Sequence, residues 1–222
     1  MSGTIKLYSY WRSSAAYRVR IGLALKALPY EYVAVDLAPG SSEQFGSEYR
    51  DIEPQAQVPL LSDGDRLIRQ SLAILEYIEE TYELSGQALL PSESRERARA
   101  RGLAQLIACD IHPLGNLRVL QYLEHQLGLD EARRLAWLHN WLGRGLAAYE
   151  ALVDNHPSTG DFSEGDFPSI ADCCLVPQLY NARRFKLDLE PYPNLRRIEA
   201  NCLALEAFQQ AAPERQPDAP QR

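Results

Sequence analysis

The chain has 222 residues, 45% hydrophobic and 24% charged, with 23 basic against 30 acidic residues for a formal charge of −7. That length buries a core, as one large domain or two modest ones, without disulfide staples, and no apolar run approaches the ~20 residues that span a bilayer. The acidic balance argues against general affinity for nucleic acid or an anionic membrane, so an anionic ligand must be held by a local cluster of arginines. The four cysteines, Cys109, Cys173, Cys174 and Cys202, have neither metal-knuckle nor CxxC spacing. They read as reduced, buried thiols of a cytoplasmic protein, and no metal is expected. Residues 1–6 run straight into a strand pattern with no secretion signal.

In chain order, Ile5 to Tyr10 reads as a strand, Ala15 to Leu28 as a helix with Val19 and Leu23 inside, and Tyr30 to Asp36 as a second strand. A polar loop, Pro39 to Ser42, and a weakly helical stretch follow. Val58 to Leu61 and Arg66 to Ile68 then flank Asp63-Gly64, a hairpin signal. The next helix opens at Ser71, read as its N-cap, carries Leu72, Leu75 and Ile78 on one face, and ends near Tyr82. The order βαβ, loop, ββα is the thioredoxin-like layout. A linker from Glu83 to Ser94 leads into helix-period text without a convincing strand, with helices expected over Arg95 to Leu127, Asp130 to Asp154, Ser169 to Arg184 and Asn194 to Gln210. The proline-rich tail from Pro213 to Arg222 reads as mobile. The expected fold is thus an α/β thioredoxin-like N-terminal domain, residues 1–84, followed by an all-α C-terminal domain, residues 92–222.

Three places on this frame suit a ligand. Arg12-Ser13-Ser14 lies between the first strand and the first helix, where unpaired N–H groups and the helix dipole favour an anion. A thiolate is stabilised there, and its sulfur must come from a ligand because the loop has no cysteine. The plainer alternative is that the serines cap the helix. Val58-Pro59 is either an ordinary trans proline opening an edge strand or a cis peptide that turns Val58 toward an extended peptide. Gln70-Ser71 either caps the next helix or receives a carboxylate at its N-terminus. Ser169-Ile170-Ala171-Asp172 reads as an acidic capping box that nucleates a buried helix, with no part in chemistry.

Leu7-Tyr8-Ser9-Tyr10-Trp11-Arg12-Ser13-Ser14, Tyr17-Arg18-Val19-Arg20-Ile21, Gln57-Val58-Pro59-Leu60-Leu61 and Gln70-Ser71-Leu72-Ala73-Ile74 resemble the zeta class of the glutathione transferases. The likeness extends to Ala108-Cys109-Asp110-Ile111-His112-Pro113, Asn116-Leu117-Arg118, Asp172 to Gln178, Asn181 to Phe185 and Gln216-Pro217-Asp218, nearly the whole chain. The resemblance implies glutathione as cofactor, a small-molecule dicarboxylate substrate and a homodimer. It implies that Ser13 and Ser14 face the thiolate, with Ser14 the nearer partner, that Val58 before a cis Pro59 pairs with the cysteinyl backbone, and that Gln70 and Ser71 hold the γ-glutamyl end. Gln44, Gln57 and His112 fall where further polar contacts are expected. The class's third motif position is commonly cysteine, and here it is Ala15, which bears on side activities that use a protein thiol.

The activity implied is cis-to-trans isomerisation of maleylacetoacetate to fumarylacetoacetate in tyrosine and phenylalanine breakdown. Maleylpyruvate isomerisation and general conjugation are the alternatives, and a noncatalytic glutathione-binding protein on the same fold is a further one. Arg12 with Arg118 and Arg184 would grip carboxylates, since a guanidinium offers two parallel hydrogen bonds. Of the adjacent Arg183 and Arg184, which point to different helix faces, Arg184 is the one expected at the site.

Overall fold

A computed structural model describes residues 4–38 and 40–220, so Pro39 of the expected polar loop and residues 221–222 of the tail lie outside the described residues. The chain divides into two compact units, residues 4–89 with 203–220, and residues 90–202.

The first unit is built on a four-stranded sheet of β1 (Ile5–Ser9), β2 (Glu31–Ala34), β3 (Leu60–Asp63) and β4 (Arg66–Arg69), in the order β2-β1-β3-β4. β1 pairs parallel with β2 and antiparallel with β3, which pairs antiparallel with β4. The expected thioredoxin-like order is therefore present. The hairpin turn sits one residue later than its signal: Asp63 still pairs with Arg66, and Gly64, with φ +62°, supplies the left-handed turn.

Alternation along β1 sorts its two faces. Ile5, Leu7 and Ser9 are buried toward α1 (Ser14–Leu25), which packs beside α3 (Ser71–Thr81). Tyr8 points the other way and meets Tyr49 of α2 (Ser47–Ile52), ring centroids 5.9 Å apart. Around that contact Tyr10, Val35, Val58 and Leu60 close a second small core, with Trp11 packed against it.

The helix α1 is buried on every side. Val19 and Leu23 lie inside as expected, but so do Arg18 and Arg20, at 2% and 1% exposure, and Lys26 just past the helix end. Each is matched. Arg18 Nη1 donates to Ser71 Oγ at 3.1 Å, Lys26 Nζ donates to Glu79 Oε2 at 3.1 Å, and Arg20 spreads over four acceptors in β1, the following loop and the C-terminal segment. Burial draws the Arg20 guanidinium below its ordinary pKa, the direction desolvation imposes on any cation. Gly86, φ +54°, lies so near the end of α1 that a Cβ would sit 2.4 Å from the Leu25 carbonyl oxygen, a spacing only glycine permits.

Four expectations that touch this unit are corrected. Ser71 is the first helical residue and not the N-cap; Gln70 holds the cap position with φ +69° and makes no side-chain cap bond, while the Ser71 hydroxyl accepts from Arg18. Nor is the described tail loose, and residues 203–220 group with the first unit and not with the second. The chain turns at residues 204–205, separating α8 (Pro193–Leu203) from α9 (Glu206–Ala211), so the single helix expected over Asn194 to Gln210 is two. Helix α9 packs on α1, and Gln216 Nε2 ties the next turn by donating to the carbonyls of Gln210 and Ala212. No glycine or proline marks residues 204–205; packing onto α1 overrides local helix propensity there.

The regular elements of the second unit's described residues are all helices: α4 (Ser94–Gln105), α5 (Leu117–His125), α6 (Glu131–Val153), α7 (Ile170–Arg184) and α8. The single helix expected over Arg95 to Leu127 is broken. After α4 the chain widens into a π-helical turn, Leu106–Ile111, tightens into a 3-10 turn, His112–Gly115, and restarts at α5 under an Asn116 cap. Pro113, which has no N–H to give an α-helical ladder, accounts for the break. Gly145 of α6 accommodates it, because a Cβ there would lie 2.2 Å from Ile111 Cγ1. Asp130 caps α6 and Ser169 caps α7, where Asp172 completes the expected capping box. Cys173, Cys174 and Cys202 are buried free thiols, but Cys109 is exposed on the π-helical turn, against expectation.

Candidate active site

The loop from β1 into α1 is held tightly. Ser13 takes the N-cap position: its Oγ accepts from Ala16 N at 3.2 Å, and its backbone N–H donates to the Tyr10 carbonyl at 2.9 Å. Ser14 is the first helical residue, so its N–H and that of Ala15 have no intrahelical acceptor and face whatever lies beyond the helix end. The capping reading of the paired serines thus falls to Ser13 alone. Arg12 is half-buried, its guanidinium carbon 5.5 Å from the centre of the Trp11 ring.

Val58-Pro59 is cis and not an ordinary trans proline. Residues 58 and 59 stand just before β3, and among the described residues neither the N–H nor the C=O of Val58 has a backbone partner. The preceding Gln57 carbonyl accepts from the Tyr49 hydroxyl at 2.6 Å, which anchors this turn to α2; burial pushes the Tyr49 phenol above its usual pKa. Gln44, in the short 3-10 turn Glu43–Phe45, is buried, and its Oε1 lacks a hydrogen-bond partner among the described residues. Gln70 is exposed, donates from Nε2 to Gln55 Oε1 at 2.7 Å, and adopts a positive φ that costs a non-glycine residue on the order of 1–3 kcal/mol. Ser71, next to it, starts α3 with its unpaired N–H groups.

Of the nine candidates of the N-terminal unit, Gln57, Val58 and Pro59 lead into β3 and the other six lie at helix starts, in the short 3-10 turn or beside them. Gln44, Gln57, Val58, Pro59, Gln70 and Ser71 belong to the stretch from the 3-10 turn to α3, and Arg12, Ser13 and Ser14 to the first βα junction.

Three candidates lie in the helical unit. His112 opens the 3-10 turn that follows the π-helical turn, and Trp137 Nε1 fixes this turn from α6 by donating to the Leu114 carbonyl at 2.8 Å. Arg118 is exposed in the first turn of α5, where its N–H donates to the Asn116 cap. Arg184 is exposed at the end of α7, 5.0 Å from the Phe185 ring centre. Its neighbour Arg183 is committed to a two-pronged ion pair with Glu199 of α8, which raises the guanidinium pKa further.

The residues fit a peptide carrying a thiol and carboxylates. Two helix N-termini offer unpaired N–H groups, Val58 offers an unpaired backbone donor and acceptor, and Gln44 offers a buried carbonyl oxygen. The family profile described as Glutathione S-transferase, N-terminal domain matches residues 3–80. A maleylpyruvate isomerase from a Ralstonia species is 47% identical over 96% of this chain and 99% of its own. Among solved structures, the holo form of a maleylpyruvate isomerase described as a bacterial zeta-class glutathione transferase matches with a TM-score of 0.93 and 47% identity, covering 97% of this chain and all of that one. The chain belongs to the zeta class of glutathione transferases. A further match is the maleylacetoacetate isomerase of Methylobacterium extorquens AM1, solved with bound malonate and glutathione, at TM-score 0.92 and 46% identity over 97% of this chain and all of that one.

For this zeta-class chain, sequence reasoning passed over Arg18, Arg20 and Asp218, which hold Ser71 and both backbone groups of Trp11. A signal for the first two was present. Residues i and i+2 lie about 200° apart around a helix, so Arg18 and Arg20 do not share one solvent face, and a helix flanking both with apolar residues is buried all round.

Proposed function

We propose that this chain is a glutathione-dependent cis-trans isomerase converting maleylacetoacetate to fumarylacetoacetate. The observation that carries the reading is the start of α1: Ser13 is spent on the cap, which leaves the Ser14 hydroxyl and the first-turn N–H groups for a thiolate. Glutathione bound there supplies a thiol nucleophile that adds to the conjugated C=C bond, frees its rotation and departs unchanged.

The chain's own residues do the rest. The Ser14 hydroxyl and the N-terminal end of α1 stabilise negative charge on the sulfur and so lower its pKa. Val58 aligns the cysteinyl backbone through its N–H and C=O, as an added strand would. Gln70 and Ser71 take the γ-glutamyl end at the start of α3, with Gln44, Gln57 and His112 as further polar contacts. Arg12, Arg118 and Arg184 hold substrate carboxylates and offset the charge that develops as the ketone becomes enolate-like.

Maleylpyruvate is the second substrate reading, favoured by the Ralstonia relative. Leu117 beside Arg118 favours maleylacetoacetate, which concentrates less charge near its ketone. We assign the chain to the cytoplasm as a homodimer, in keeping with its four free cysteines and with its class. The test is to follow loss of each cis substrate with and without glutathione. Turnover that needs glutathione, with the larger kcat/KM for maleylacetoacetate, is expected; aryl-halide conjugation faster than either isomerisation would overturn the assignment.

A further inference from the structure

The C-terminal segment reaches back to the loop that bears the serines. Asp218 Oδ2 accepts the backbone N–H of Trp11 at 2.9 Å, and Oδ1 accepts the Tyr32 hydroxyl of β2 at 2.6 Å. The other polar group of the same residue is held as well: the Trp11 carbonyl accepts from Arg20 Nη2 at 3.0 Å. Arg20 Nη1 adds bonds to the Tyr10 carbonyl and Ser9 Oγ, and its Nε donates to the Ala211 carbonyl at the end of α9. Tyr10 O is also the acceptor for Ser13 N. Residues 10–13 are thereby fixed by two charged side chains, one from within α1 and one from the last described turn of the chain.

A charged acceptor makes a backbone hydrogen bond roughly twice as strong as a neutral one, and only a low-dielectric setting preserves that strength. The Trp11 N–H bond to Asp218 is part-buried, and Arg20, which holds the Trp11 carbonyl from the other side, is 1% exposed. The bonded tyrosine registers the carboxylate: burial first, and then the bond to Asp218, pushes the Tyr32 phenol up.

We infer that Asp218 is a positioning residue for the glutathione thiolate, acting through the Trp11 N–H to hold the first turn of α1, and with it Ser14, in register with the sulfur. The inference rests on the reading that places the sulfur at Ser14. Asp218 touches neither sulfur nor substrate; its effect is carried by the backbone between Trp11 and Ser14.

The test compares wild type with Asp218→Asn and with Tyr32→Phe, which removes the other partner of Asp218 and keeps the Trp11 bond. Three quantities are read: amide hydrogen exchange of residues 10–16 without glutathione, the thiol pKa of bound glutathione by ultraviolet absorbance, and kcat against KM. Both variants should melt earlier. Asp218→Asn alone should speed exchange over residues 10–16, raise the bound thiol pKa, and lower kcat by about tenfold with little change in KM for glutathione, as small misplacements of reacting groups do. Equal changes in Tyr32→Phe, or none in Asp218→Asn, would overturn the inference while leaving the Ser14 reading intact. A wild-type thiol that is not acidified on binding would overturn both. Should Asp218→Asn not fold, a chain ending at Pro217 decides by the same readings.

Discussion

At the βα junction two adjacent serines do different work, and the difference follows from one step along the helix. Ser13 has extended dihedrals, φ −68° and ψ 116°, and closes the cap; Ser14 is already helical. Ser13→Ala should therefore cost about 1 kcal/mol of stability, as cap removal generally does. Ser14→Ala should leave stability within about 0.5 kcal/mol, as substitutions away from caps and cores do. It should also lower kcat by about a hundredfold, the usual cost of deleting one donor to a developing or resident anion. Urea melts and steady-state kinetics on the two variants check this division. Arg12→Ala should raise KM for the dicarboxylate, and an unchanged kcat/KM would remove Arg12 from the clamp. The candidate positions of the first unit stood out in the sequence as polar residues at helix starts and beside a strand-opening proline. The sequence does not show which serine caps, because both suit the position and only the backbone dihedrals distinguish them.

The elements were legible where hydrophobic period and cap agree. For α7, Ser169 and Asp172 announce the start. The structure then adds what a local pattern does not contain: Asp172 Oδ1 also accepts from Ser163 N at 2.9 Å, so the capping acid ties down the preceding loop, and Tyr149 holds Ser163 from the other side. Burial raises the Asp172 carboxyl above its ordinary pKa, while its bonds to Ser169 and Ser163 pull the other way without cancelling the shift. A folded pKa above the unfolded one contributes stability that is complete below the usual carboxylate value, near ~4, and is lost as pH rises through the raised value. Replacing Asp172 by Asn removes this titration, so the stability gap between wild type and variant should narrow from about pH 4 toward neutrality in urea melts. Specific activity per folded molecule should stay within about twofold, since nothing in α7's cap touches the proposed chemistry. The break after Gln105 has a local signal in Pro113, whereas the break at residues 204–205 has none, because it answers to packing on α1, far away in sequence.

On the scale of the whole molecule, the largest departure from the sequence reading is the path of the chain's end. A proline-rich polar tail has the composition of a mobile segment, yet residues 203–220 belong to the first unit and Asp218 carries two hydrogen bonds there. Both bonds are long-range, and no local pattern reveals them. The same unit hides an ion pair, Lys26 with Glu79, whose carboxylate also receives the Leu89 N–H at 2.9 Å. Lys26→Ala would strand that carboxylate in the interior and should destabilise by about 3–5 kcal/mol, whereas replacing both partners with apolar residues should recover much of the loss. A double-mutant cycle in urea measures both. The described helices include none long and apolar enough to cross a membrane.

The central claim is that a borrowed sulfur is kept anionic at the start of α1. A crystal structure of the complex with glutathione tests it most directly. The account predicts the sulfur within hydrogen-bond reach, about 3–3.5 Å, of Ser14 Oγ, with the cysteinyl backbone paired to Val58. A sulfur turned away from Ser14 while the peptide still occupied the start of α3 would contradict it.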